Sequence, residues 1–170
     1  MPIALLDTTL LSNFAQVRRP DLLRAALGPD AATTPAILAE LHAGESLGLV
    51  PACDWIWLQV LEPTDTYSVL SCDERRLAAE LARQLDPGEA ECLAVALSRD
   101  CRFLSDDFAA RRMAELKSLA VSGTLGVLAR LIEASLLSLA EADDLLVQMI
   151  DHGYRSPVRS LESLQANSHS

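Results

Sequence analysis

Asp86-Pro87-Gly88-Glu89-Ala90-Glu91-Cys92-Leu93-Ala94-Val95-Ala96-Leu97-Ser98-Arg99, followed closely by Arg102-Phe103-Leu104-Ser105-Asp106-Asp107, is the stretch that decides the fold. Asp86 is placed as an N-cap, Pro87 takes the first helical position and Glu89 the third, so a helix must start here. The helix that follows, Ala90 to Arg99, is almost wholly apolar. A helix without a polar side is buried on all sides. Arg102 to Ser105 then reads as a short buried strand. Asp107 to Leu116 reads as a helix, Leu119 to Ser122 as another strand, and Gly123-Thr124 opens a long apolar helix to about Ala134.

The alternation extends in both directions. Pro2 to Leu6 is an apolar strand ending at Asp7, and Pro20 to Leu27 is a short helix stopped by Gly28-Pro29. Thr34 as N-cap and Pro35 open a helix through Ile37, Leu38 and Leu41 toward Gly44 or Gly48. Trp57 to Leu61 reads as a strand ended by Glu62-Pro63, Ser71 to Gln84 as a helix, and Leu139 to Ile150 as the last one; the tail from about Gln165 is polar and expected to fray. Strands alternating with apolar helices imply an α/β fold, a central parallel sheet covered on both faces. In such sheets ligands bind beyond the carboxyl ends of the strands.

Composition narrows the function. The 170 residues make about one domain, and half of them are hydrophobic, which excludes a disordered chain. The longest run without a charge, Ser118 to Ala129, is 12 residues, too short to cross a bilayer, and no signal peptide is visible; a soluble, cytoplasmic protein is expected. Fourteen basic against 24 acidic residues give a net charge of −10, which argues against a broad basic face for nucleic acid. It leaves open a nuclease whose metal ions carry the positive charge. Lys117 is the one lysine, so chemistry that needs an ammonium has a single candidate. Cys53, Cys72, Cys92, Cys101, His42, His152 and His169 show no zinc spacing; Cys92 reads as a core residue and His42 as a surface one.

The strand ends carry carboxylates instead. Asp7 follows the first strand, Asp106 and Asp107 follow Arg102 to Ser105, Glu40 lies in the helix opened at Thr34, and Glu89 and Glu91 begin the helix after Asp86. Taken singly, Glu40 reads best as a solvated residue, Glu89 as a capping partner, and Asp106 as an N-cap with Asp107 in the first turn. Asp7, at the end of a buried strand, must be paired, hydrogen-bonded or metal-bound, and Glu91 has hardly any solvated face around it. Four acidic sites at strand ends together favour a metal site. Oxygen donors of this kind suit Mg²⁺ or Mn²⁺, which can activate water and neutralise a phosphodiester. A haloacid-dehalogenase-type phosphatase would place a second Asp where Thr9 stands. A receiver domain would place its acid pair early and a Lys at the last strand, whereas the pair here is late and Lys117 precedes its strand.

These residues resemble the PIN domain, a metal-dependent nuclease fold found among bacterial and archaeal toxins. The resemblance lies in Leu5-Leu6-Asp7-Thr8-Thr9-Leu10-Leu11-Ser12-Asn13, Pro35-Ala36-Ile37-Leu38-Ala39-Glu40-Leu41, Gly88-Glu89-Ala90-Glu91 with Leu93-Ala94-Val95-Ala96, and Phe103-Leu104-Ser105-Asp106-Asp107. Val121 to Leu128 resembles a subgroup of PIN-containing proteins of unknown function. The resemblance implies a three-layer α/β/α sandwich with a nuclease domain over residues 1–135, a C-terminal helical extension over 136–164 and a frayed tail over 165–170. It implies Asp7, Glu40, Glu91 and Asp107 as catalytic metal ligands, with Glu89 and Asp106 as nearby competitors. Thr9, Asn13 and Ser105 would hydrogen-bond around them, and Thr124 would cap its helix or meet a phosphate. It further implies a Mg²⁺- or Mn²⁺-dependent endoribonuclease, the toxin of a toxin–antitoxin pair, with RNA as substrate, a small antitoxin as partner, a homodimer, and no membrane. The antitoxin is expected on the helices around Pro20 to Leu27 and Leu38 to Leu49, whose leucines read as exposed. The alternatives are a host RNA-processing nuclease and, from another class, a non-catalytic PIN-fold interaction module.

Overall fold

The computed structural model describes residues 3–64 and 73–162. Five strands, β1 (Ala4–Leu6), β2 (Ala31–Thr33), β3 (Gln59–Val60), β4 (Arg102–Leu104) and β5 (Val121–Ser122), form one sheet in the order β3-β2-β1-β4-β5. Every described pairing is parallel. The chain builds the sheet outward from β1 to β3, then returns to lay β4 on the other side of β1. The strand order therefore reverses between β1 and β4, and the crevice beyond their carboxyl ends is where an open parallel sheet receives its ligand.

Eight helices cover the sheet among the described residues: α1 (Thr8–Gln16), α2 (Pro20–Leu27), α3 (Pro35–Ser46), α4 (Glu74–Leu81), α5 (Pro87–Ser98), α6 (Phe108–Leu116), α7 (Thr124–Glu133) and α8 (Leu139–Asp151). One group joins α1, α2, α7 and α8; the other joins α4, α5 and α6; α3 touches both α1 and α5. Right-handed crossovers from a sheet that grows first one way and then the other require two such layers. The strands are correspondingly apolar throughout: Ala4, Leu5 and Leu6 are all fully buried. Leu145, Leu146, Met149 and Leu161, from α8 and the segment after it, belong to the same core. No helix of the described residues is long and apolar enough to cross a membrane.

The sequence reading meets the structure closely from Asp86 onward and departs from it near the N-terminus. Thr8–Gln16, which has no clear pattern in the sequence, is a helix capped by Asp7, whose side chain accepts from the Leu10 N–H at 3.0 Å. Ala31–Thr33, likewise without a clear pattern, is β2. The strand expected over Trp57 to Leu61 narrows to Gln59–Val60, because the Leu58 N–H turns back to the Trp55 carbonyl. The helix expected from Ser71 runs over Glu74–Leu81; residues 71–72 and the tail from Gln165 lie outside the described residues. The leucines of α2 also differ from expectation. Leu22, Leu23 and Leu27 are buried in the core, and so is Leu41 of α3, whereas Leu47 and Leu49 after α3 are exposed.

Candidate active site

The crevice between β1 and β4 gathers helix N-termini, and an acidic side chain stands at each. Asp7 ends β1 and caps α1. It is fully buried; one oxygen accepts from Thr9 Oγ1 at 2.8 Å and the Leu10 N–H, the other from the Ser105 hydroxyl. Burial pushes its carboxyl up to about 6 against the pull of those three donors, and the charge of Asp106 adds to the rise. Asp107 caps α6 through the Ala110 N–H at 2.8 Å, and its own N–H donates to Ser105 Oγ at 3.0 Å. Ser105 therefore joins the Asp7 carboxylate to the Asp107 backbone, donating to the first and accepting from the second.

Glu89 and Glu91 divide their work. Glu91 Oε1 accepts from the Ala36 N–H of α3 at 3.1 Å. The expected cap of α3, the Thr34 hydroxyl, makes no such bond and is buried without a partner, so α3 is capped from a different helix. Glu89 closes the capping box at Asp86, accepting from its N–H at 3.3 Å, as read from sequence. It also faces the acids: burial first, then the charge of Asp107 and, further down, of Asp7, push its carboxyl up to about 7.

Glu40 comes to the same place from α3. Thr8 Oγ1 donates to its Oε2 at 2.6 Å, and its carboxylate lies over Gly88, where a Cβ would stand 2.1 Å from Oε1. Gly88 is needed for that space, since its backbone is ordinary helix. Beneath the acids lies Cys92, whose buried thiol is pushed well up by desolvation and then by the charges of Asp7, Glu91 and, less strongly, Glu40.

Asp106 faces the other way, which corrects the expectation that it caps α6. Its carboxylate accepts from both the N–H and the hydroxyl of Thr124, at 3.0 and 2.5 Å, and so caps α7. Thr124 is accordingly the first residue of a capped helix, not the cap. Asn13 Nδ2 donates to Asp106 at 3.0 Å and to Thr124 Oγ1 at 3.2 Å, so it supports this pair and not Asp7. Thr9 links the two halves, donating to Asp7 and accepting from the Asp106 N–H at 3.0 Å. Thr8 and Gly88 are not marked as site residues by the sequence, and Thr34 reads there only as a helix cap; Gly88, inside the capping box, carries the one visible signal.

These side chains offer a cation hard oxygens and nothing else. Among the described residues, no ion pair neutralises Asp7, Glu40, Glu89, Glu91 or Asp107. Glu40, Glu89, Glu91 and Asp107 each keep one oxygen outside the hydrogen bonds described, and the unpartnered Thr34 hydroxyl is a further donor. The donor chemistry fits Mg²⁺ or Mn²⁺. Among the described residues, though, no three acids, histidines or cysteines are grouped as a ligand set.

A doubly wound α/β/α chain with acids crowded at its switch point is the class that fold and site define. A family model described as a PIN domain matches residues 3–168, and the chain belongs to the PIN-domain family. PIN domains are in general nucleases, hydrolases that typically bind divalent metal ions. No curated protein and no solved structure matches the chain.

Proposed function

We propose that this protein is a Mg²⁺- or Mn²⁺-dependent endoribonuclease. The observation that carries the reading is Asp7, a fully buried carboxylate at the strand-order reversal, hydrogen-bonded to Ser105 and placed beside Asp107 and Glu89. Glu89 feels the charges of both Asp107 and Asp7, and Glu40 of α3 lies against Gly88 in the first turn of α5. Asp7, Asp107, Glu40 and Glu91 would hold the ion, with Glu89 competing for Glu91's place. A bound divalent ion supplies the charge that offsets the scissile phosphate and makes water nucleophilic at neutral pH. Ser105 and Thr9 fix the Asp7 carboxylate, Thr8 fixes that of Glu40, and the crevice orients the phosphodiester against them.

The toxin role belongs to the same reading, with a small antitoxin as partner and a homodimer as the working unit. The antitoxin would cover the exposed Leu47 and Leu49 and bring Arg or Lys to the acids. The rival, a non-catalytic interaction module, draws support from the acids that already serve as helix caps.

Adding Mn²⁺ or Mg²⁺ to chelated protein while following the melting temperature and the cleavage of RNA separates the two. A ligand binding only the folded form stabilises it by roughly 2.7 kcal/mol at 100 times its dissociation constant. The nuclease is expected to gain several degrees and cleave RNA; the module would do neither.

Gly88→Ala probes the Glu40 carboxylate by itself. The new Cβ displaces the flexible end of Glu40 and leaves the backbone alone. Gly88 is in the first turn of α5, so the helix gains at most the roughly 0.5–1 kcal/mol that removing a mid-helix glycine gives. The variant is expected to melt no lower than the wild type yet cleave RNA about tenfold more slowly or worse, the scale of a misplaced catalytic group. Wild-type cleavage in Gly88→Ala would remove Glu40 from the site.

A further inference from the structure

Beyond the ends of β4 and β5 lies a cavity of about 590 Å³ that shares Asp107 with the proposed metal site and whose remaining walls the proposed hydrolysis does not use. Its volume is that of a small-molecule site. Val121 and Leu125 give it an apolar floor, while Asp106 and Asp107 form its boundary with the catalytic crevice. Arg111 and Arg155 also line it, two cations in a chain of net charge −10. Arg111 is held in place: its Nη1 donates to the Ser105 carbonyl at 2.8 Å and the Ser122 carbonyl at 2.9 Å. Further guanidinium donors remain beyond that nitrogen.

The rim adds an aromatic side chain. Phe108, the first residue of α6, is 75 % exposed and immediately follows the acid Asp107. The opposite wall comes from the segment after α8, where the Tyr154 hydroxyl donates to Asp106 at 3.2 Å. That bond ties the C-terminal segment to the carboxylate capping α7. Gly123 leaves room for both Asp106 and Arg111, because a Cβ there would stand 2.5 Å from Asp106 Oδ1 and 2.8 Å from Arg111 Nη1.

An apolar floor, an exposed aromatic ring and two guanidinium groups beside hydrolytic acids suit one kind of ligand, an unpaired nucleotide. Its base can lie on apolar and aromatic surface while its phosphate meets arginine. We infer that this cavity receives the unpaired nucleotide next to the scissile phosphodiester, with Phe108 as stacking surface and Arg155 as phosphate contact. The inference rests on the nuclease reading and adds to it a place where the substrate is gripped. It also assigns the C-terminal segment a part in substrate binding.

The test measures fluorescence anisotropy of a labelled single-stranded RNA hexamer on the full chain in EDTA, where cleavage is stopped. Phe108→Ala and Arg155→Ala alter exposed side chains, and Arg24→Ala, on the exposed side of α2 and outside the cavity lining, controls for charge alone. Base–aromatic stacking is worth roughly 1–3 kcal/mol, so Phe108→Ala is expected to weaken binding about fivefold or more. Arg155→Ala should weaken it severalfold and lower its salt dependence, while Arg24→Ala stays near wild type. If the wild type cleaves RNA with Mn²⁺ but both cavity variants bind like Arg24→Ala, the cavity assignment is wrong and the nuclease reading stands. If the wild type neither binds nor cleaves RNA, both fall together. Loss of a protein partner in the cavity variants with unchanged RNA affinity would also overturn the assignment, in favour of a peptide site.

Discussion

Asp7→Asn is expected to raise the melting temperature of the metal-free protein at pH 7.5 and to leave it nearly unchanged at pH 4. In the folded chain the Asp7 carboxyl is pushed from 3.8 up to about 6 by burial. A raised folded value means that the folded state binds the proton more tightly than the unfolded state does. The stability this provides is complete below pH 3.8 and is lost as pH rises through about 6. At 1.36 kcal/mol per pKa unit the ionised carboxylate costs the fold about 3 kcal/mol at neutral pH. Asparagine deletes that charge, and its oxygen still accepts from the Leu10 N–H and Thr9. Its amide nitrogen replaces the oxygen that accepts from Ser105, so about 3 kcal/mol is the upper bound of the gain. For a domain of this size that bound corresponds to roughly 5–10 °C. Melting curves from pH 4 to 8 in a chelator measure it. A variant that melts lower than the wild type at every pH would show that the carboxylate is a structural cap and nothing more.

Arg99→Met is expected to destabilise the fold by about 3 kcal/mol, the lower end of the cost of stranding a buried charge, since the arginine is partly solvated. Glu74, at the start of α4, is 3 % exposed. The Arg99 guanidinium grips both of its oxygens at 2.8 Å, and the Thr64 N–H adds a third bond at 2.8 Å. Arg99 also donates to the Glu62 carbonyl at 2.7 Å, so one side chain fastens α4, α5 and the chain after β3 together. Burial alone would push the Glu74 carboxyl up; Arg99 and Thr64 outweigh it and hold the group below its usual value. That contribution is present above the unfolded value and fades as pH falls through the lowered one. Glu74→Gln with Arg99→Met should therefore recover much of the stability that Arg99→Met loses. Chemical denaturation of both variants checks this, and equal loss in the two would contradict it.

What the sequence makes legible is what neighbouring residues determine. Asp86 to Glu89 announces a helix start through contacts spanning a single turn, and the structure has it. Asp7 and Ser105-Asp106-Asp107 are visible because an acid directly after an apolar strand has few explanations. α1 and β2 escaped notice because Thr8, Thr9, Ser12 and Asn13 are modest helix formers and Ala31-Ala32 modest strand formers. Both elements owe their form to burial, of Leu10, Leu11 and Phe14 in one case and of the whole strand in the other. The site's finer arrangement depends on distant pairs. Glu91 caps a helix 55 residues before it, and Thr8 holds Glu40 from 32 residues away. No local pattern distinguishes Glu91 as a cap from Glu91 as a ligand, or shows that Asp106 serves α7 while Asp107 serves α6.

The convergence of helix N-termini also explains how an acidic chain tolerates these carboxylates. Backbone N–H groups at each terminus carry partial positive charge that stabilises the acid placed there. Glu89 has the Asp86 N–H, yet burial first, and then the charges of Asp107 and Asp7, push its carboxyl up to about 7, so part of the rise is repulsion the helix end does not offset. That residual repulsion is what a divalent cation would relieve.

The most direct test of the nuclease reading is cleavage of single-stranded RNA by chelated wild type and Asp7→Asn side by side, before and after Mn²⁺ is restored. The expected result is cleavage by the wild type only after the metal returns, and a rate at least about a thousandfold lower in a well-folded Asp7→Asn, the scale of losing an essential electrostatic group. Equal cleavage by the two proteins, or none by the wild type with Mn²⁺ or Mg²⁺, would contradict it.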